Sequence, residues 1–216
     1  YNNIGTAYYS FGEFRKSLEY FQKSLQIFNK IYEEDHPDIA RAYNNIGSTY
    51  QSLGEYNKAI EYKQKSLKLL EKIYKEGHPD IARAYNNIGS IYDNLGEYNK
   101  ALEYYQKSLQ IYEKIYQEDH PDIARAYNNI GGAYDSLGLY NKAIDYYQKS
   151  LQIYKKIYQE DHPDTARAYN NIGKINHTLG EFNKALEYYL ESVQIFKNIY
   201  QYQEDHSDIA RVYNNI

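Results

Sequence analysis

Five successive copies of one unit constrain the fold of this chain more than any single residue in it. Tyr-Asn-Asn-Ile-Gly begins at Tyr1, Tyr43, Tyr85, Tyr127 and Tyr169, and Tyr-Asn-Asn-Ile returns at Tyr213. The first four steps are each 42 residues long; the last is 44, because Tyr200-Gln201-Tyr202-Gln203 carries an extra Tyr-Gln pair. A unit of this length cannot bury its own apolar face and buries it against its neighbours instead. The expected architecture is a stacked array with one repeated surface, not a globule built around one pocket.

Composition narrows the function classes. A net charge of −4 over 216 residues argues against general nucleic-acid binding, which favours a strongly basic surface. Apolar runs are only a few residues long, far short of the roughly 20 that cross a bilayer. There is no Cys, so a disulfide framework, a thiolate nucleophile and a Cys-based zinc site are excluded. Because the copies share one unit, the absence of Cys, Met and Trp amounts to a single observation, and compartment is not read from it. The chain opens at Tyr1 without an initiator Met or a signal peptide, and both ends fall inside a repeat. It reads as a segment of something longer, with the cytoplasm as the expected location.

The copy from His78 to Asp119 shows how one unit folds. In His78-Pro79-Asp80, Pro occupies a position whose N–H has no helical partner, and the acid meets the positive end of the helix dipole. A first helix then runs to about Leu95, with Ile81, Ala84, Tyr85, Ile88 and Tyr92 at helical spacing. Gly96 breaks it. A second helix, from about Glu97 to Gln117, lines up Tyr98, Ala101, Leu102, Tyr105, Ser108, Leu109, Tyr112 and Ile115, leaving Glu97, Lys100, Glu103, Lys107 and Lys114 outside the stripe. Each unit is therefore a helical hairpin, and Glu118 to Pro121 is a short connection to the next.

Gly89, Tyr92, Gly96, Tyr98, Ala101 and Tyr105 closely resemble the tetratricopeptide repeat pattern. Asp119-His120-Pro121-Asp122-Ile123-Ala124, followed by Asn128-Asn129-Ile130-Gly131, is similar to the 42-residue variant of kinesin light chains and of many signalling arrays. The resemblance spans essentially residues 1–216, as one array with a partial sixth repeat from about 207. It implies an all-α solenoid: a right-handed superhelix of hairpins, first helices lining a concave groove and second helices on the convex side. Departures from the pattern are Tyr9, Phe14, Lys63 in place of an aromatic, Asn176 in place of Tyr, and Ser207 in place of Pro. None threatens the fold. Lys63 is expected to forfeit about 2 kcal/mol of apolar burial unless its stem snorkels.

Several recurrent residues have structural readings. His36, His78, His120, His162 and His206 cannot share a metal, because ligands converge within about 2 Å of one ion whereas stacked helices lie about 10 Å apart. Turn and capping chemistry is expected of them. The 30 tyrosines fall mostly on packing stripes, so core is expected ahead of a stacking platform for bases or sugars. The Ser of Gln-Lys-Ser-Leu sits where the family places a small packing residue. Gly-x-Ser-x-Gly, the P-loop and His-Glu-x-x-His are absent, so no catalytic, cofactor or metal residues are assigned and the chain is expected to be no enzyme.

The first helix carries the candidate binding surface. Arg83, Asn86, Asn87, Ser90, Asp93 and Asn94 form one polar stripe opposite the packed one, and by resemblance it faces the groove. Its equivalents are Arg41 with Asn44 and Asn45, Arg125 with Asn128 and Asn129, and Arg167 with Asn170 and Asn171. An amide donates and accepts, so an Asn every 10 Å or so could hold a peptide main chain at about every third residue. The structural alternative pairs each Arg with the Asp three residues before it, as in Asp80 to Arg83, and each Asn with an Asn or Tyr of the next repeat.

In the fifth copy Lys174 and His177 join the stripe, which points to an acidic ligand group; drift in a terminal repeat is the alternative. The leading expectation is a non-enzymatic scaffold binding an extended partner segment of protein, with no nucleic acid and no membrane. A sensor or spacer arm of a larger signalling or enzymatic protein is the runner-up. Head-to-tail self-association through bare repeat ends is expected as well, with Leu190 and Val193 adding exposed apolar surface.

Overall fold

A computed structural model describes residues 1–32, 35–74, 77–116, 119–158, 161–200 and 207–215. His206, the Tyr-Gln insertion beyond Tyr200, Gln117, Glu118 and Ile216 lie outside the described residues. First helices are α1 (Asn2–Ser10), α3 (Pro37–Ser52), α5 (Pro79–Asn94), α7 (Pro121–Ser136) and α9 (Pro163–Thr178). Second helices are α2 (Phe14–Ile31), α4 (Tyr56–Ile73), α6 (Tyr98–Ile115), α8 (Tyr140–Ile157) and α10 (Phe182–Ile199). The short α11 (Ser207–Tyr213) completes the helices, and there is no strand among the described residues. None of these helices is long and apolar enough to cross a membrane.

The helix starts follow from His-Pro-Asp, with more chemistry than the spacing reveals. Pro takes the first helical position, and the imidazole Nδ1 of His36, His78, His120 and His162 accepts the N–H of the Asp two residues on, at 3.1–3.2 Å. Each ring also lies flat on the Tyr four residues earlier. The Tyr32–His36, Tyr74–His78, Tyr116–His120 and Tyr158–His162 centroids are 3.6, 3.6, 3.4 and 3.4 Å apart. One imidazole thus ties the preceding Tyr ring to the start of the helix that follows. The first helix of each hairpin ends at a glycine: Gly96 has φ +75°, and its N–H reaches the Asp93 carbonyl at 2.9 Å.

Hairpins close through a ring laid over a bare backbone. A Cβ on Gly89 would stand 2.8 Å from the Tyr105 ring, so the glycine is what lets the two helices approach. Tyr104 fills the next level, 6.1 Å from Tyr85 and 5.4 Å from Tyr92, an arrangement that Tyr146 repeats with Tyr127 and Tyr134. Tyr105, Tyr112, Tyr147, Tyr154 and Tyr189 are buried. The tyrosines with these roles build the hairpins, and Tyr104 belongs with them although the stripe read from the sequence omits it. The recurrent serines Ser24, Ser66, Ser108, Ser150 and Ser192 are buried too, and Ser66 donates to the Ala40 carbonyl at 2.7 Å.

The helices gather into two compact units, Tyr1–Ile115 and Tyr116–Ile216, where the repeats by themselves predict one array. In the first, Ile39, Ala40, Leu67, Leu70, Ile81, Ala84 and Ile88 join α3, α4 and α5 in one apolar cluster. In the second, Ala166, Ala185, Tyr189, Val193, Phe196, Ile209 and Val212 join α9, α10 and α11. Val193 is therefore core, contrary to the expectation that it is exposed. Leu190 is exposed, and Ile115 lies at the edge of its stripe, not within it.

The departures from the repeat pattern are absorbed locally. Tyr9 and Phe14 pack edge to face, 5.3 Å apart. Asn176 is buried and returns its Nδ2 to the Ile172 carbonyl at 2.8 Å. Lys63 does not snorkel to water: it is 2% exposed, and its stem lies over Gly47 where Tyr105 lies over Gly89.

Candidate functional site

On the polar stripe of the first helices the arginines and the laddered asparagines have internal partners. Arg41, Arg83, Arg167 and Arg211 pair with Asp38, Asp80, Asp164 and Asp208 at 2.7, 3.0, 2.9 and 3.1 Å, and Arg125 pairs with Asp122. All five guanidinium groups remain about half exposed, so each pair contributes only a few tenths of a kcal/mol and can yield to a ligand.

The asparagines form a ladder with a fixed polarity. Asn45 Nδ2 donates to Asn2 Oδ1 at 3.1 Å, and Asn87 Nδ2 to Asn44 Oδ1 at 3.2 Å. In the second unit Asn171 donates to Asn128 at 3.1 Å and Asn215 to Asn170 at 3.0 Å. In each bond the second Asn of one repeat serves the first Asn of the repeat before it. These bonds compensate for placing two poor helix formers in succession. They also aim the amide nitrogen of the earlier Asn away from the bond. Asn86 and Asn129 occupy the same half-buried positions in their own helices.

In the first unit these residues converge on a cleft of about 330 Å³ between the N-terminal halves of α3 and α5. Its rim holds Asp38, Arg41, Asn44, Asp80, Arg83 and Asn87; Ala40, Ala84, Leu70 and Tyr74 supply the apolar lining. Lys63 approaches Asn44 from the core side. Its Nζ donates to Asn44 Oδ1 at 2.8 Å and to Ser48 Oγ at 2.6 Å, and burial lowers its pKa to about 7. The sequence marks Lys63 as a missing aromatic. It does not show that residues 15 and 19 positions earlier receive the ammonium group.

The remaining stripe positions differ between repeats. Gln51 Nε2 lies 3.5 Å from Ser90 Oγ, and Tyr9 bonds Ser52 at 2.7 Å. Asp93 Oδ1 is buried without a hydrogen-bond partner among the described residues, and burial raises the carboxyl's pKa. Its equivalent in the second unit, Asp135, meets Lys174 Nζ at 3.0 Å. Lys174 is thus no unopposed cation. His177, which the sequence groups with it, packs edge to face on Phe182 at 5.3 Å.

The family model of the tetratricopeptide repeat matches residues 1–72, 80–156 and 122–198. A search of curated proteins finds no match. Among solved structures the chain is similar to BtubC (BKLC) from P. vanneervenii, at 23% identity and TM-score 0.82, over 92% of this chain and 79% of that one. Kinesin-light-chain-type TPR-like repeats from Podosopora anserina are 18% identical, with TM-score 0.77, over 92% and 94%. A Rap protein solved in complex with Competence and Sporulation Factor is 16% identical, with TM-score 0.73, over 99% and 62%. At these identities the likeness speaks to fold, while the family match covers most of the chain and agrees with its hairpins, its Gly–Tyr contacts and its period. The chain belongs to the tetratricopeptide repeat family.

Proposed function

We propose that this chain is a non-enzymatic protein-interaction scaffold that holds an extended partner segment along the polar stripe of its first helices. The observation that carries this reading is the cleft between α3 and α5. It combines an apolar floor with guanidinium, carboxylate and amide groups on its rim, all on rigid helices. Such a rim can bond a main chain in either direction while the floor takes an apolar side chain. The family's general role as protein-binding scaffolds and the factor-bound Rap structure of the same fold support it.

Selection of a peptide display library on the protein tests the reading. Enriched peptides are expected to lose about tenfold in affinity when Arg41 and Arg83 are both changed to Ala, with helicity unchanged by circular dichroism. A library that yields no enriched sequence, or peptides that bind the double variant equally well, would overturn it. In the second unit, an acidic group aimed at Lys174 has to displace Asp135, so acidic preference there is expected to depend on salt. Self-association, if it uses the exposed Phe182, Leu186 and Leu190 of α10, is expected to weaken in a Leu190→Gln variant by sedimentation velocity.

A further inference from the structure

Building on that scaffold reading, we propose that the first unit recognises a charge pattern. One extended peptide places an acidic side chain at the α3/α4 hairpin, beside Asn44 and above Lys63, and a basic side chain at Asp93 of the next hairpin.

The basic half of the site follows from charge and hydrogen-bond accounting. Arg41 and Arg83 are each answered by an Asp of their own helix. Among the described residues, the Lys63 ammonium has only neutral hydrogen-bond partners, Asn44 Oδ1 and Ser48 Oγ. Asn44 Oδ1 receives both Lys63 Nζ and Asn87 Nδ2, so that oxygen is fully used. The Asn44 amide nitrogen lies 3.5 Å from Asn45 Oδ1, too long for a strong bond, and is available as a donor on the cleft rim. The cleft therefore offers donors with one uncompensated positive charge behind them, which suits a carboxylate.

The acidic half has an internal template. Asp93 and Asp135 are equivalent residues of successive repeats. At Asp135 a primary amine, that of Lys174, sits 3.0 Å from the carboxylate. Asp93 keeps one carboxylate oxygen buried and unpartnered among the described residues. Ser90, the neighbouring hydroxyl, bonds Tyr105, with Gln51 Nε2 at 3.5 Å, and offers Asp93 no charge. A lysine or arginine of a bound peptide would fill at Asp93 the role that Lys174 fills at Asp135.

The two subsites fit one strand. Successive first helices lie about 10 Å apart, and Asp93 stands six residues, about 9 Å, beyond Asn87, which marks the Asn44 level on α5. The resulting span of about 13 Å is covered by about four extended residues.

The test uses three synthetic twelve-residue peptides sharing one Ala, Ser and Leu background. The first carries Glu and Lys four positions apart, the second the same pair reversed, and the third Gln at both sites. Fluorescence polarisation at low salt and slightly acidic pH is expected to show one charged order binding about tenfold tighter than the Gln peptide. Lys63→Tyr, which installs the residue found at Tyr105, should remove the contribution of Glu, and Asp93→Asn that of Lys. Each variant's fold is checked by circular dichroism. Equal binding of charged and neutral peptides, or a preference that survives both variants, overturns the charge pattern and leaves the scaffold reading intact. If library-selected peptides bind and none of these three does, the pattern is likewise overturned. If no peptide of either kind binds, both readings fall.

Discussion

The second and third hairpins share the sequence Pro-Asp-Ile-Ala-Arg-Ala-Tyr-Asn-Asn-Ile-Gly-Ser, at 37–48 and 79–90, and yet present different chemistry. Both begin at a histidine cap and both put a bare glycine against the second helix. Over Gly89 lies the Tyr105 ring; over Gly47 lies the Lys63 stem, its ammonium bonded to Asn44 and Ser48. Caps and glycines fix the backbone, so the ring position can change without moving the helices. The cost of that freedom falls on stability, because an amine buried in place of a ring gives up apolar contact and hydration together.

Exchanging the two residues gives the largest expected effect. Tyr105→Lys should destabilise the protein by about 3 kcal/mol near neutral pH, through lost ring burial and a newly buried amine. Lys63→Tyr should stabilise it by about 1 kcal/mol, since the ring would cover Gly47 as Tyr105 covers Gly89. Urea unfolding of the two variants measures both. Equal and small changes would mean that the ring position carries little of the packing energy.

The hairpins should also differ in their response to pH. Lys63 has a folded pKa of about 7 against 10.5 for the free side chain, so between those values the unfolded chain binds the extra proton. Stability contributed at this site therefore rises as pH increases from 7 towards 10.5, and is lost as pH falls back to 7. Below 7 both states are protonated and the contribution is level. Comparing the native chain with Lys63→Met at about pH 7 and pH 9 should show the native chain gaining about 2 kcal/mol relative to the variant. A constant difference would mean that the Asn44 and Ser48 bonds hold the ammonium at its ordinary pKa.

A smaller effect is expected at the caps. His78→Ala removes the acceptor for the Asp80 N–H and the stack on Tyr74, and should cost about 1 kcal/mol. His78→Asn, which restores the acceptor without the ring, should recover part of it. Full recovery would assign the whole contribution to the hydrogen bond, and none to the stack.

How much of this was legible depends on whether partners lie on one helix or on two. The hairpins, Gly96, the His-Pro-Asp starts and the Asp80–Arg83 pair are local, and periodicity exposes them. The Tyr–His stack was also within reach, since the four-residue spacing of Tyr74 and His78 recurs at Tyr32, Tyr116 and Tyr158, but it spans a connection that helical patterns do not describe. Asn87 to Asn44 and Asp135 to Lys174 join residues 43 and 39 positions apart. For the first pair the sequence offers an Asn-to-Asn bond between repeats as one of two alternatives; for the second it supplies the groups without the pairing. An Asn suited to a peptide amide is equally suited to another Asn, so only geometry reveals where its donor is spent. Lys63 is the sharpest case, because the pattern marks its position as apolar and the compensation comes from the facing helix.

The smallest effect contrasts a buried cation with an exposed one. Lys174 is 61% exposed, and its pair with Asp135 is open to solvent on the lysine side. Its Coulomb attraction is screened, and ordering a long side chain opposes it, so Lys174→Ala should cost less than about 0.5 kcal/mol. That difference should vanish in about 1 M salt, where the screening length falls to about 3 Å. The Lys63 ammonium is enclosed and held by neutral acceptors, so the change produced by Lys63→Tyr should persist at the same salt concentration. Urea unfolding of both variants at low and high salt separates the cases. If the Lys63→Tyr difference also collapses with salt, the ammonium reaches solvent, and the two lysines differ in degree and not in kind.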